Sequence, residues 1–372
     1  MDPIINKNAK KYIQVAKPTL EQEEIDAVKQ VVQDGWVSRG PKVKEFEQLI
    51  ANAHNKKFGS SCNSGATALI LALVAADVKA GDEVIVPDLT MIAVANAVLA
   101  IGAIPVFADS DVQSGVGNVS KITLNQCITP KTKAAIIVHT YGEPIEYTQD
   151  IVNFLHHKHI RVIEDCAESH YARDNNGNVV GSCGDLSIFS FYSNKIITTG
   201  EGGMVLTDNL DVKDRLDRIQ MHAFTPGKHF WHTEHAWGVR MTDMQAAIGI
   251  EQHKKKDRFI IRRKEIRGIY EENITNSSIL VPTTPGSTNW VMPILVNERQ
   301  KFREHLAENG VDHRTYFNPF SQQVFLTKYV THDNPIARLL SETGLYLPLY
   351  PTLTDDDVLY ICEVINKYND KT

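Results

Sequence analysis

The chain has 372 residues, 42% hydrophobic and 23% charged, with a formal net charge of −6. Such a balance supports a soluble globular protein with a substantial core, arranged as one large domain or two to three ordinary ones, and it weighs against nucleic acid as a partner. No uncharged run reaches the roughly 18 residues of a membrane span, and the N-terminus lacks the apolar core of a signal peptide, so the expectation is a cytoplasmic protein with no membrane partner.

Taken in chain order, Pro18-Thr19-Leu20-Glu21-Gln22 reads as a helix start, with Thr19 as N-cap and Gln22 closing a capping box. Ile25, Val28 and Val32 follow at helical spacing. Short apolar strands are predicted over 83–86, 104–108, 134–138, 160–164, 186–192 and 203–207, with helices over 67–76, 91–101 and 148–157 among them. Alternation of this kind predicts an α/β fold with a mostly parallel sheet covered on both faces. In such sheets ligands bind beyond the carboxyl ends of the strands. A long helical pattern then runs over 241–274. It carries the basic clusters His253-Lys-Lys-Lys256 and Arg262-Arg-Lys264, read as a solvated face. After a turn-rich stretch over 281–288 come a strand over 289–296, a helix over 298–308, a strand over 312–317 and a helix over 355–368. The expected division is a large domain over 1–250, with the connecting helix and a smaller α+β domain over 251–372.

Two segments carry the chemistry. Ser190-Phe-Tyr-Ser-Asn-Lys195 places a lysine after an apolar strand and before the turn at Gly200, Gly202 and Gly203. Partial desolvation there lowers an amine's pKa and suits it to Schiff-base formation, although most lysines are simply solvated surface charges. Val162-Ile-Glu-Asp165-Cys-Ala-Glu168 ends a strand in an acidic cluster. Asp165 read alone is a helix cap; read with Lys195, it is the carboxylate that keeps a pyridine nitrogen protonated, and Glu168 could approach the ring's phenolic oxygen. A lysine and such a carboxylate are what pyridoxal phosphate requires of a protein. Upstream, Asn63-Ser-Gly65-Ala66-Thr67 opens a helix, where free amide groups can receive a phosphate; Ser190 could add a hydroxyl to it. Five scattered cysteines (Cys62, Cys127, Cys166, Cys183 and Cys362) without C-x-x-C spacing indicate reduced thiols, and the fourteen histidines form no H-E-x-x-H pattern. No metal site is expected.

These segments in this order resemble the DegT/DnrJ/EryC1/StrS family of sugar aminotransferases. Further matching pieces are Gly81-Asp-Glu-Val-Ile-Val-Pro87, Val138-His-Thr-Tyr-Gly142 and Arg240-Met-Thr-Asp-Met-Gln-Ala-Ala-Ile-Gly249. Asn194–Met204 and Glu164–Glu168 are most similar to the perosamine synthase branch. The resemblance implies a type I, aspartate-aminotransferase-like fold, pyridoxal 5'-phosphate as cofactor, and a homodimer with active sites shared between subunits. It implies that Lys195 carries the cofactor as a Schiff base and that Asp165 pairs with its ring nitrogen. Gly65, Ala66, Thr67 and Ser190 match the family's phosphate contacts. Arg240 matches an arginine that would hold the carboxylate of the donor, L-glutamate, and Asn318 lies where the family's small domain approaches the sugar. The acceptor implied is a nucleotide-linked 4-keto-6-deoxyhexose, with a 3-keto sugar, a non-nucleotide keto sugar or a non-catalytic cofactor-binding regulator as alternatives. A dehydratase of the same fold would carry histidine in place of Lys195. Two departures stand out: Met91 replaces a stacking aromatic residue, and Gly238 replaces an asparagine that reaches the partner subunit's phosphate. Both predict weaker cofactor retention, or a compensating residue.

Overall fold

Seven short strands form the larger sheet of the computed structural model, which describes residues 5, 6, 9, 11–225, 227–282 and 285–369. They are β1 (Phe58–Cys62), β2 (Glu83–Pro87), β3 (Ile104–Ala108), β4 (Thr132–Val138), β5 (Arg161–Asp165), β6 (Leu186–Ser190) and β7 (Gly203–Thr207). Their order across the sheet is β1-β7-β6-β5-β4-β2-β3. The run from β3 to β6 is parallel, while β7 lies antiparallel to both β6 and β1. Because β7 reverses between them, β1 points the same way as the parallel set. The carboxyl ends of β1, β2, β4, β5 and β6 therefore share one edge, together with the start of β7. The sheet is mostly parallel, as expected, with the reversed strand confined to one side.

Period-two alternation sends successive strand residues to opposite cores. Ile136 and Ile163 pack with Leu69, Leu71 and Leu73 of α3 (Gly65–Ala75). Ile137 and Val162 pack with Ile151, Val152 and Leu155 of α6 (Thr148–His156). A third cluster joins Phe46 and Ile50 of α2 (Pro41–Ala53) to Phe189 and Phe191, and to Ile250 of α8 (Asp243–Lys254). The remaining helices of this part are α1 (Gln22–Gln33), α4 (Ala93–Ala100), α5 (Lys121–Asn125) and α7 (Leu210–Ile219). Helix α9 (Lys256–Asn273) leads away from it.

The second sheet, made of β10 (Ile279–Leu280), β11 (Met292–Val296), β12 (Arg314–Thr315) and β13 (Gly344–Leu347), is antiparallel, in the order β10-β11-β13-β12. A separate hairpin of β8 (Phe224–Thr225) and β9 (Lys228–His232) precedes it in the chain. The second sheet is covered by α10 (Arg299–Glu308) and α12 (Asp355–Lys367). The N-terminal segment reaches this sheet, since Ile13 bridges Val311 and packs in the same core. Two carboxylates fasten the parts together at strand ends. Asp88, just past β2, accepts the Ser321 amide and hydroxyl at 2.7 and 2.6 Å. Asp109, just past β3, accepts the amides of Ile336 and Ala337 at the start of α11 (Pro335–Thr343).

Three local expectations are corrected. Helix α1 is capped by Glu21, whose amide is received by the Glu24 carboxylate, rather than by Thr19 with Gln22. The long helical pattern is two helices, because Lys255 breaks it at φ −95°, ψ −2°. Arg263 is not part of a solvated face: it is 3% exposed and donates to the carbonyls of Asn289, Trp290 and Leu349. Of the turn-rich stretch, residues 283 and 284 lie outside the described residues.

Candidate active site

A cavity of about 440 Å³ opens at the shared carboxyl edge of the larger sheet. Its floor is made by strand-end residues: Val138 of β4, Asp165 of β5, and Ile188 and Ser190 of β6. One wall is the first turn of α3. Ser64 caps that helix, its Oγ accepting the Thr67 amide at 3.2 Å, and Gly65 and Ala66 face the cavity where a helix leaves its first amides unpaired. Glycine at 65 is required by close approach: a Cβ there would lie 2.7 Å from Cβ of Ser190. Thus α3 can bring its N-terminus against β6 only with no side chain between them.

Lys195 sits in the loop after β6 with its side chain 11% exposed. Its Nζ lies 3.9 Å from Oε1 of Glu168 and 4.0 Å from the centre of a Trp290 ring. Burial lowers the pKa of this amine, and Glu168 and Asp165 work against that shift. Asp165 is pushed up to about 7, chiefly by burial. Its Oδ1 accepts the Ala167 amide at 3.0 Å, and no ion pair to it is formed among the described residues. Glu168 is also raised by burial, opposed by Lys195 and by the Tyr141 amide, which donates to its Oε2 at 2.8 Å. A buried carboxylate that faces a cavity without a paired cation fits a ligand with a cationic ring nitrogen. A helix start beside a serine hydroxyl fits its phosphate, and the half-buried lysine fits its aldehyde. These residues therefore suit pyridoxal phosphate.

Beneath the site, Glu164 is wholly buried and receives the amides of Gly181, Cys183 and Gly184. His139 accepts the Ile145 amide at Nδ1, so its Nε2 carries the proton that points at Glu164. With Cys166 these groups form a tight cluster, but their bonding capacity is spent on the protein. They fix the end of β5 and hence Asp165.

Of the residues singled out in the sequence, Gly65, Ala66, Met91, Asp165, Glu168, Ser190 and Lys195 line one cavity. Thr67 stands behind the wall, with its hydroxyl 2.9 Å from that of Ser64. Arg240 and Asn318 are exposed and do not line the cavity of this single chain. Sequence reasoning missed Thr90, Tyr192, Glu201, Trp290, Phe317 and Tyr346, which do. For Trp290 a signal existed: it is one of only four tryptophans and stands just before an apolar strand.

The sequence model of the DegT/DnrJ/EryC1/StrS aminotransferase family matches residues 18–366. A GDP-perosamine synthase of Escherichia coli O157:H7 is 40% identical over 370 residues, covering 97% of this chain and 100% of that protein. Among solved structures, the aminotransferase TlmJ from Streptoalloteichus hindustanus superposes with a TM-score of 0.89 at 27% identity, covering 95% of this chain and 98% of that one. An E. coli GDP-4-keto-6-deoxy-D-mannose-3-dehydratase with bound hydrated PLP gives 0.88 at 25% identity, covering 97% and 100%.

Proposed function

The chain belongs to the DegT/DnrJ/EryC1/StrS aminotransferase family, and from that premise we propose that it moves an amino group from L-glutamate to a nucleotide-linked 4-keto-6-deoxyhexose. The observation that carries this reading is Lys195, buried beside Glu168 and Trp290 in the cavity that also holds Asp165. Pyridoxal phosphate is the cofactor, and bound there it supplies an aldehyde for amines and an electron sink for the carbon that loses a proton. Asp165 holds the ring nitrogen in its charged form. The first turn of α3 and Ser190 hold the phosphate. Lys195 would anchor the cofactor, and its amine, which burial shifts toward the neutral form, is the group placed to take the proton from Cα of glutamate. With the keto sugar in place the same amine delivers a proton to the sugar carbon that becomes the amine-bearing centre.

Lys195 also stands against dehydration, which would call for histidine there. Met91, 48% exposed at the cavity, can lay a thioether on a ring face. We read residues 1–250 as the unit that holds the cofactor and 251–372 as the smaller unit that closes the cavity through Trp290 and Tyr346. A homodimer would bring a second chain's residues to the open side, where Arg240 would meet the donor and Asn318 the sugar. Five free cysteines fit a reducing, cytoplasmic setting, and no described helix is long and apolar enough to cross a membrane. A 3-keto or non-nucleotide keto sugar would use the same groups. The test is to add glutamate to the PLP-loaded protein, assay 2-oxoglutarate, and then screen keto sugar nucleotides for amino sugar. No 2-oxoglutarate from a loaded protein would move the reading to a cofactor-binding regulator.

A further inference from the structure

Trp290 belongs to the loop before β11, far in sequence from the lysine it touches. Its ring centre lies 4.0 Å from Nζ of Lys195. Its indole Nε1 donates to the carbonyl of Asn194 at 2.8 Å, on the residue directly before the lysine. One side chain thus grips both the lysine's main chain and its amine. Trp290 is itself held: it is 5% exposed, and Arg263 donates to its carbonyl at 2.9 Å and to those of Asn289 and Leu349. Asn289 takes a left-handed turn at φ 54° to aim it.

We propose that Trp290 is a positioning residue for Lys195, fixing the Asn194 peptide through its N–H and holding the amine, in its charged form, against the indole face. The proposal rests on Lys195 being the reactive amine. An ammonium on an aromatic face is stabilised electrostatically when desolvated. That is the state the amine enters each time it has taken a proton from the substrate. The other groups around it are Asp165, Glu168, His170, Tyr192, Glu201 and Tyr346, and all are retained in the variants below.

The experiment measures the pH midpoint of Lys195 acylation by acetic anhydride in the full-length protein freed of cofactor, read by peptide mass spectrometry. Wild type, Trp290→Phe and Trp290→Leu are compared. Phenylalanine keeps a ring and loses the N–H; its midpoint should stay near wild type while amide exchange at Asn194–Lys195 quickens. Leucine removes the ring, and its midpoint should fall by roughly half a unit to one unit. A tryptophan that merely fills space predicts the opposite sign, because water admitted to the gap favours the charged amine. An unchanged or raised midpoint in the leucine variant, or unaltered amide exchange in the phenylalanine variant, overturns the proposal. A failure of Lys195 to take up PLP in wild type would instead strike the functional reading, and it is scored separately from the spectrum of the loaded protein.

Discussion

Replacing Asp165 by asparagine should make the cofactor-free protein more stable and the enzyme inactive. In the folded chain Asp165 is pushed from the usual aspartate value of 3.8 to about 7, mainly by burial. A group whose folded pKa is raised contributes stability that is complete below its unfolded pKa and lost as pH rises through the folded one. The window is therefore pH 3.8 to about 7. Roughly three pH units at 1.36 kcal/mol each give about 4 kcal/mol, an order-of-magnitude figure for what the ionised, unpaired carboxylate costs above neutrality. Asparagine keeps an oxygen for the Ala167 amide and has no charge to desolvate. Urea denaturation of cofactor-free wild type and variant at pH 4.5 and pH 8 checks this, with the variant's advantage small at the lower pH and several kcal/mol at the higher. PLP should reverse the order at pH 8, because only wild type offers a partner for the charged ring nitrogen. Equal offsets at both pH values would refute burial as the source of the shift, and a variant that transaminates as fast as wild type would refute the assigned role.

Gly65→Ala should lower both stability and PLP affinity: the new Cβ meets Ser190 at 2.7 Å, overpacking of this kind costs about 1–3 kcal/mol, and α3 must move away from β6. Urea midpoints and equilibrium dialysis with PLP measure the two effects, and an unchanged pair would contradict the cradle. Asp109→Ala removes the carboxylate that accepts hydrogen bonds from the Ile336 and Ala337 amides at the start of α11. It should cost about 0.5–2 kcal/mol in urea denaturation while leaving the spectrum of bound PLP intact; a lost spectrum would mean that this fastening also shapes the cavity.

The larger sheet was legible because its strands are short apolar runs separated by helical patterns, and its ligand edge followed from the direction of the strands. Lys195, Asp165, Glu168 and the α3 start were legible because each lies at a strand or helix end, where local sequence sets geometry. Trp290, Phe317 and Tyr346 were not, since they come from segments whose approach depends on how the second sheet is fastened by Asp88 and Asp109. Arg263 was misread for a related reason. A charged residue in a basic run looks solvated until three carbonyls from distant loops converge on it. Strand β1 escaped notice because Phe58-Gly-Ser-Ser-Cys62 is small and polar, and only its pairing with β7 makes it a strand.

The most direct test loads the protein with PLP, reduces it with borohydride and maps the peptide that keeps the phosphopyridoxyl group. The account predicts the label on Lys195 alone, and none in Lys195→Ala. Label on another lysine, or none on a folded wild-type protein saturated with PLP, would contradict it.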